Sequence, residues 1–192
     1  LIGDLDGIGQ GISCPTIFLD DTNVLENPDY LSIADNTTAL GANCFAFNEW
    51  FPGGFTPQFG GTITDASIFA GVKTELDNGW AMDLSASVGY SDIAYRLSGT
   101  VNPSLGPDSP LSFTPGSVSQ VERTFNLDFA KLIQSVFEEP ISIAMGAEWR
   151  RETYFQKAGD DASYAAGSLA FNPTTGASQG FSIGSNGFPG YQ

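Results

Sequence analysis

The chain has 192 residues and a formal net charge of −15, with 22 acidic and 7 basic side chains and no histidine. This charge balance argues against nucleic acid as a partner, because nucleic-acid backbones are bound by basic surfaces. Without histidine, the usual Ser-His-Asp and Cys-His catalytic systems are excluded. We therefore expect no enzyme, no cofactor, and no catalytic, cofactor-binding or metal-binding residue in a chain of this one-domain length.

Residues 1–61 precede the first regular pattern, and they are acidic. No Lys or Arg occurs before Lys73. The carboxylates of this segment are Asp4, Asp6, Asp20, Asp21, Glu26, Asp29, Asp35 and Glu49. Two interpretations stay open, namely a solvated acidic loop and a mouth that attracts cationic ligands or divalent ions.

Two cysteines, Cys14 and Cys44, lie in this same segment. In an exported protein such a pair favours a disulfide, and the alternative is two free thiols. A bridge closes a loop of about 30 residues, which in the chain-entropy model stabilises the fold by roughly 3–4 kcal/mol.

Four later segments alternate apolar and polar side chains with a period of two, which is typical of β-strands. We predict strands over residues 62–76, 80–92, 119–131 and 140–153. In the first segment the apolar positions are Ile68, Ala70, Val72 and Leu76, with Phe69 and Thr74 as exceptions. The third segment has one misfit, Arg123, on its apolar side.

The second segment is the clearest, because the apolar positions from Trp80 to Tyr90 alternate with small or polar ones. Ten residues at about 3.3 Å each, tilted by about 40°, place these two aromatic side chains about 25 Å apart along a barrel axis. That distance is the height of the lipid-facing band between the aromatic girdles of an outer-membrane barrel. The pattern therefore favours a membrane barrel, although alternation alone is also compatible with a soluble β-sandwich.

The connections between these strands alternate in length. Residues 77–79 (DNG) form a compact turn, residues 132–139 are short, and residues 93–118 are long and rich in Pro and Gly. Short periplasmic turns and long extracellular loops are typical of outer-membrane barrels, whereas such long loops are unusual in a compact soluble domain. We predict that residues 1–61 and 154–192 are extracellular loops and that residues 62–153 form four barrel strands.

The predicted fold is all-β, a segment of an antiparallel up-and-down transmembrane β-barrel in the bacterial outer membrane. The side chains expected to face lipid are Trp80, Met82, Leu84, Val88, Tyr90, Phe125, Leu127, Phe129, Ile141, Ile143, Met145 and Trp149. The side chains expected to face the wet lumen are Asp83, Glu122, Asn126, Asp128 and Glu148. Four strands leave two unpaired edges, so we expect a longer chain or neighbouring copies to supply the missing strands.

Several segments between Cys44 and Gln192 resemble TonB-dependent outer-membrane receptors in their order and spacing. They are residues 47–49 (FNE), 51–61 (FPGGFTPQFGG), 102–110 (NPSLGPDSP), 146–152 (GAEWRRE), 158–160 (AGD), 163–164 (SY) and 185–190 (SNGFPG). The resemblance implies a large plugged barrel that imports a scarce nutrient, such as a metal chelate, cobalamin, an oligosaccharide or a peptide, with energy transmitted by TonB.

The resemblance also implies partners. These are outer-membrane lipid and lipopolysaccharide, the remainder of the barrel and its plug, TonB acting through that plug, and a small nutrient ligand. No plug, TonB-contacting box or C-terminal strand of the family matches this sequence. The chain is therefore expected to supply barrel wall, lumen lining and outer loops, and no ligand-contacting residue is carried over.

Two other functions are compatible with the alternating strands. One is a surface adhesin or filament subunit whose sheet edges are completed by neighbouring copies. The other is a soluble acidic β-sandwich that binds carbohydrate through an aromatic platform of loop residues such as Trp50, Phe51 and Phe55.

Overall fold

A computed structural model describes residues 2–7, 11–15, 39–47, 50–51, 53–172 and 175–192. The described chain is mostly β-structure. A small antiparallel sheet pairs β1 (Gly3–Asp4) with β2 (Cys44–Phe45). A large antiparallel sheet has four strands, ordered as in the sequence: β3 (Gln58–Glu75), β4 (Ala81–Ser98), β5 (Ser112–Ile133) and β6 (Ile141–Ala158).

Helical structure is limited to short pieces. They are an α-helix at Ala39–Asn43, a 3₁₀ segment at Pro103–Asp108 and an α-helix at Asp161–Tyr164. The 3₁₀ segment is interrupted at Gly106, whose φ of 57° lies in the left-handed region that glycine adopts without a Cβ clash. Within the described ranges no helix has the length and apolar character needed to cross a membrane.

The prediction of an all-β chain with four antiparallel strands is confirmed at the level of one four-stranded sheet. The observed strands are longer than the predicted ones, at 18, 18, 22 and 18 residues. The connection between β4 and β5 is therefore residues 99–111, and not 93–118. Leu97 and Phe113 are buried near these strand ends, so the apolar–polar alternation stops there although the extended backbone continues.

The β3–β4 hairpin has a three-residue loop, Asp77-Asn78-Gly79. The Leu76 N–H donates to the Trp80 carbonyl at 2.8 Å, and the Gly79 N–H donates to the Leu76 carbonyl at 2.8 Å. Gly79 has a φ of 79°, the conformation that a three-residue hairpin loop needs at its last position. The predicted compact turn thus fixes the pairing of the two strands.

The chain divides into two compact units. The loop unit comprises Leu1–Gly61, Tyr95–Gly116 and Lys157–Gln192, and the sheet unit comprises Thr62–Ala94 and Ser117–Gln156. The buried hydrophobic residues found in the described part of the chain all belong to the loop unit: Cys44, Phe45, Ala46, Leu97, Val101, Phe113, Leu169, Ala170 and Phe181. The buried residues of the sheet unit are polar and small, namely Ser85 and Thr124.

A buried polar network orders the long connections of the loop unit. The Asn102 side chain is fully buried, and its Nδ2 donates to the carbonyls of Ala162 at 2.8 Å and Ala165 at 2.9 Å. Its Oδ1 accepts hydrogen bonds from the Ser104 N–H at 3.1 Å and the Ser104 hydroxyl at 2.7 Å. The residue thereby ties the β4–β5 connection to the chain that follows β6, part of the predicted loop at residues 154–192.

The Cys14–Cys44 disulfide is present, as predicted. It joins residues 30 apart in sequence and lies beside the β1–β2 pairing. Part of the acidic segment lies outside the described residues: Asp20, Asp21, Glu26, Asp29, Asp35 and Glu49.

Candidate functional site

The register of β3 against β4 places their apolar side chains on one face. The backbone hydrogen bond between Leu76 and Trp80 pairs these residues, and Lys73 forms an ion pair with Asp83 at 2.9 Å. Both contacts fit one antiparallel register in which even-numbered residues of the two strands share a face. The face that carries Trp80 in β4 therefore carries Ile68 and Val72 in β3.

Ring contacts extend this face across the sheet. Trp80 of the hairpin meets Phe129 of β5 edge-on at 6.5 Å, and Phe125 of β5 meets Trp149 of β6 at 5.5 Å. Odd-numbered residues of β5 and β6 therefore lie on the side that carries the even-numbered residues of β4. The structure brings the twelve residues predicted to face lipid to this one side, which we name the apolar face.

The apolar face is open to its surroundings. The exposed fraction of the residue is 77% for Ile68, 53% for Phe125, 55% for Met145 and 50% for Trp149. Leu84, Val88, Tyr90, Ile141 and Ile143 are exposed as well. Large contiguous apolar surfaces of this kind mark a contact with a membrane or another protein.

The opposite side, which we name the polar face, carries the ionic contacts of the sheet unit. Besides the Lys73–Asp83 pair, the Arg150 guanidinium bonds the Glu122 carboxylate at 2.6 Å and the Glu152 carboxylate at 2.7 Å. Alternation from these residues puts Asn126, Asp128 and Glu148 on the same side. These are the positions predicted to face a lumen. Contact with water avoids the free-energy cost of burying their charges.

The loop unit contains a cluster of aromatic rings that the sequence pattern does not predict. The ring centroid of Phe59 lies 5.4 Å from that of Tyr95 and 4.7 Å from that of Phe188. The ring centroids of Tyr191 and Phe188 are 5.9 Å apart. These residues come from three distant parts of the sequence, so no local sequence pattern predicts that their rings meet.

A second aromatic group contains Trp50, one of the residues of the carbohydrate-platform alternative. Its ring lies 5.4 Å from Phe45 and 5.7 Å from Phe47 in edge-on geometry. Phe51 and Phe55, the other two residues, meet at 4.8 Å. The Trp50 ring is therefore engaged with neighbouring rings, and 36% of the residue is exposed.

The described acidic residues near the disulfide are held by one amide. The Asn43 Nδ2 donates to the carboxylates of Asp4 at 3.0 Å and Asp6 at 3.2 Å and to the Ile12 carbonyl at 2.8 Å. Burial raises the pKa of the Asp4 carboxyl above its ordinary value, and the hydrogen bond with Asp6 raises it further. In the described ranges no three His, Cys, Asp or Glu side chains come together as a metal site.

No protein-family model, curated protein or solved structure matches this chain. The sequence identified the side chains on each face, whereas the cross-strand neighbours, including Arg123 beside Arg151, appear only once the register is known.

Proposed function

We propose that this chain forms part of the wall of a bacterial outer-membrane transporter of the TonB-dependent type, with the apolar face toward lipid and the polar face toward the lumen. The observation that carries the proposal is the exposure of the apolar face in a unit that has no buried hydrophobic side chain among its described residues. A sheet with one apolar face needs a partner for it, and a bilayer is one such partner.

Strand length supports the proposal. Strands of 18 to 22 residues are far longer than the usual strand of about 5–6 residues in a soluble protein. A tilted strand needs roughly 9–11 residues to cross a bilayer, which leaves part of each strand to extend beyond the lipid.

The placement of the connections gives further support. In an antiparallel meander, the turn at residues 76–80 and the connection at residues 134–140 lie at one end of the sheet. The longer connection at residues 99–111 and the chain after β6 lie at the other end. Short turns at one end and longer, structured loops at the other are the arrangement of outer-membrane barrels. We assign the longer connections to the cell exterior.

The unpaired edges of β3 and β6 argue for more strands than the four described here. A barrel closes only when every edge is paired, so the wall is completed by further strands. Transport itself would require a plug and TonB, and the ligand would be a scarce nutrient such as a metal chelate, cobalamin, an oligosaccharide or a peptide.

The tryptophans of the chain provide the test, because Trp80 and Trp149 belong to the apolar face and Trp50 belongs to the loop unit. The protein is reconstituted in phosphatidylcholine vesicles whose acyl chains carry bromine, a contact quencher of indole fluorescence. Trp80→Phe and Trp149→Phe should each remove a quenched component of the emission. Trp50→Phe, the matched control, should remove an unquenched one.

Two results would contradict the proposal. Trp80 and Trp149 that escape quenching would show that protein or water, and not lipid, covers the apolar face, as in a filament or a soluble sandwich. Lipid contact by a complete barrel that carries these strands together with its plug, without binding of that protein to the purified periplasmic domain of TonB, would refute the transporter assignment and leave a membrane barrel of another kind.

A further inference from the structure

Two arginines lie side by side on the apolar face. Phe125 and Trp149 are cross-strand neighbours, with ring centroids 5.5 Å apart. Two residues further along each antiparallel strand, the neighbours become Arg123 and Arg151. Both side chains are exposed, and together with Trp149 and Phe155 they line one shallow depression of the sheet unit.

These arginines lack the partners that cations on the polar face have. Lys73 and Arg150 both form ion pairs with carboxylates. Neither Arg123 nor Arg151 has a carboxylate oxygen within salt-bridge distance in the part of the chain that the structure describes. The two arginines have no carboxylate partner because the acidic residues of β5 and β6 have even numbers and lie on the polar face, whereas Arg123 and Arg151 have odd numbers.

The apolar face of β5 and β6 contains no acidic side chain at all over residues 119–133 and 141–153. Its charged residues are Arg123, Lys131 and Arg151, whereas the polar face of the same segments has Glu122, Asp128, Glu148 and Glu152 against Arg150. Like charges directly opposite each other on neighbouring strands destabilise a sheet. In a chain with 22 acidic and 7 basic residues, this local excess of positive charge indicates that an anion comes from outside the chain.

The depth of the pair suggests the source of the anion. Ile141 and Arg151 are ten residues apart on β6, which corresponds to about 25 Å along the barrel axis at about 3.3 Å per residue and a tilt of about 40°. The pair therefore lies one lipid-facing band away from Ile141, toward the end with the longer loops. Arginine side chains at such a position extend toward the polar headgroups, and aromatic side chains such as Trp149 and Phe155 are typical of the same level.

We propose that Arg123 and Arg151 bind the phosphate group of a lipid in the outer leaflet. Two guanidinium groups present planar sets of donors that match phosphate oxygens in bidentate geometry. The negative charge of a shared phosphate offsets the repulsion between the two cations. Trp149 and Phe155 pack against the lipid next to the phosphate. This inference rests on the proposed function, because it needs the apolar face to contact lipid.

The test uses the fluorescence of Trp149, isolated by Trp50→Phe and Trp80→Phe, with the protein in mixed vesicles. Phosphatidic acid with brominated acyl chains is added as a minor component to unbrominated phosphatidylcholine. We expect Trp149 to be quenched at least threefold more than the bulk fraction of brominated lipid predicts. The double variant Arg123→Gln/Arg151→Gln should bring the quenching down to the bulk value.

A matched control removes the same charge from the other side of the sheet. Lys73→Gln/Arg150→Gln takes two cations from the polar face and should keep the excess quenching of Trp149. Arg123→Lys/Arg151→Lys keeps the charge of the pair but loses the planar donors, so its excess should be intermediate. This third variant retains a cation at each position and tests the same site if the glutamine variant folds poorly.

The outcomes separate the two proposals. Quenching of Trp149 that follows the bulk fraction of brominated lipid, or an excess that survives Arg123→Gln/Arg151→Gln, would overturn the phosphate site and leave the lipid contact standing. No quenching by brominated phosphatidylcholine at all would overturn the proposed function and the site with it. Loss of the excess on adding millimolar inorganic phosphate would assign the pair to soluble anions and overturn the lipid site.

Discussion

The Asp160 carboxylate, which follows the end of β6, binds Thr114 near the start of β5, 46 residues away in sequence. Its Oδ2 accepts a hydrogen bond from the Thr114 N–H at 2.5 Å and another from the Thr114 hydroxyl at 2.9 Å. Its Oδ1 accepts from the Ser163 N–H at 2.9 Å and caps the helix Asp161–Tyr164. One side chain thus fixes the start of β5 and the chain after β6 relative to each other.

Replacing Asp160 should therefore loosen both segments. We expect Asp160→Ala to cost about 2 kcal/mol of local stability, since a helix cap and hydrogen bonds to a charged acceptor are lost together. Hydrogen exchange at the Thr114 and Ser163 amides should accelerate by roughly 30-fold. The exposed Asp108 makes no side-chain hydrogen bond to another described residue, so Asp108→Asn should leave both rates unchanged. Equal rates in Asp160→Ala and the parent protein would refute the bridging role.

Removing the Asn102 side chain should be more damaging. Asn102→Ala removes the donor to the part-buried carbonyls of Ala162 and Ala165 and the acceptor of the buried Ser104, and we expect a loss of about 3 kcal/mol. Limited proteolysis should then cut residues 99–111 or 159–172 at protease concentrations that spare the parent. Asn126→Ala, on the polar face, is the comparison variant and should show the parent's pattern. Resistance of Asn102→Ala to cleavage would mean that the network is dispensable.

Reducing the disulfide should weaken the region around β1 and β2. The Cys14–Cys44 bridge closes a loop of 30 residues, and the chain-entropy model gives about 3–4 kcal/mol for such a loop. Cys14→Ser/Cys44→Ser should lower the urea midpoint for exposure of Trp50, followed by its fluorescence. Quenching of Trp80 and Trp149 by brominated lipid serves as the control readout and should stay the same. A change in the lipid contact of Trp149 would contradict this expectation.

The Tyr164 hydroxyl should lose its proton at a higher pH than an ordinary tyrosine, because its pKa is raised. The hydrogen bond that its hydroxyl donates to the Asp161 carboxylate at 2.6 Å raises the pKa of the phenol above its ordinary value. The bond exists with the neutral phenol, so its stabilising effect is complete below the unfolded pKa of 10.0 and is lost as the pH rises through the folded pKa.

Absorbance at the tyrosinate band during alkaline titration measures this effect. Asp161→Asn should move one titrating component to lower pH, and Tyr164→Phe should remove that component. Asp108→Asn should leave the titration curve as it is. An Asp161→Asn curve that coincides with the parent's would show that the bond does not persist in solution.

Local patterns were sufficient for the strands of the sheet unit but not for the loop unit. From Trp80 to Tyr90 the side-chain polarity follows the backbone period of two, because successive side chains of an extended strand lie on opposite faces. Near Leu97 in β4 and Phe113 in β5 apolar and polar side chains no longer alternate. The prediction therefore ended β4 too early and began β5 too late. The environment at these positions depends on residues far away in sequence.

The sequence by itself determined which side chains share a face within each strand, because a period of two is a property of the extended backbone. It also determined the acidic charge balance, the absence of histidine chemistry and the two cysteines that pair. Only the tertiary structure decided the register, which aligned four separate apolar stripes into one face and placed Arg123 beside Arg151. Register is a relation between strands, set by the turn at Gly79 and by cross-strand contacts such as Phe125 with Trp149, and no single strand contains it.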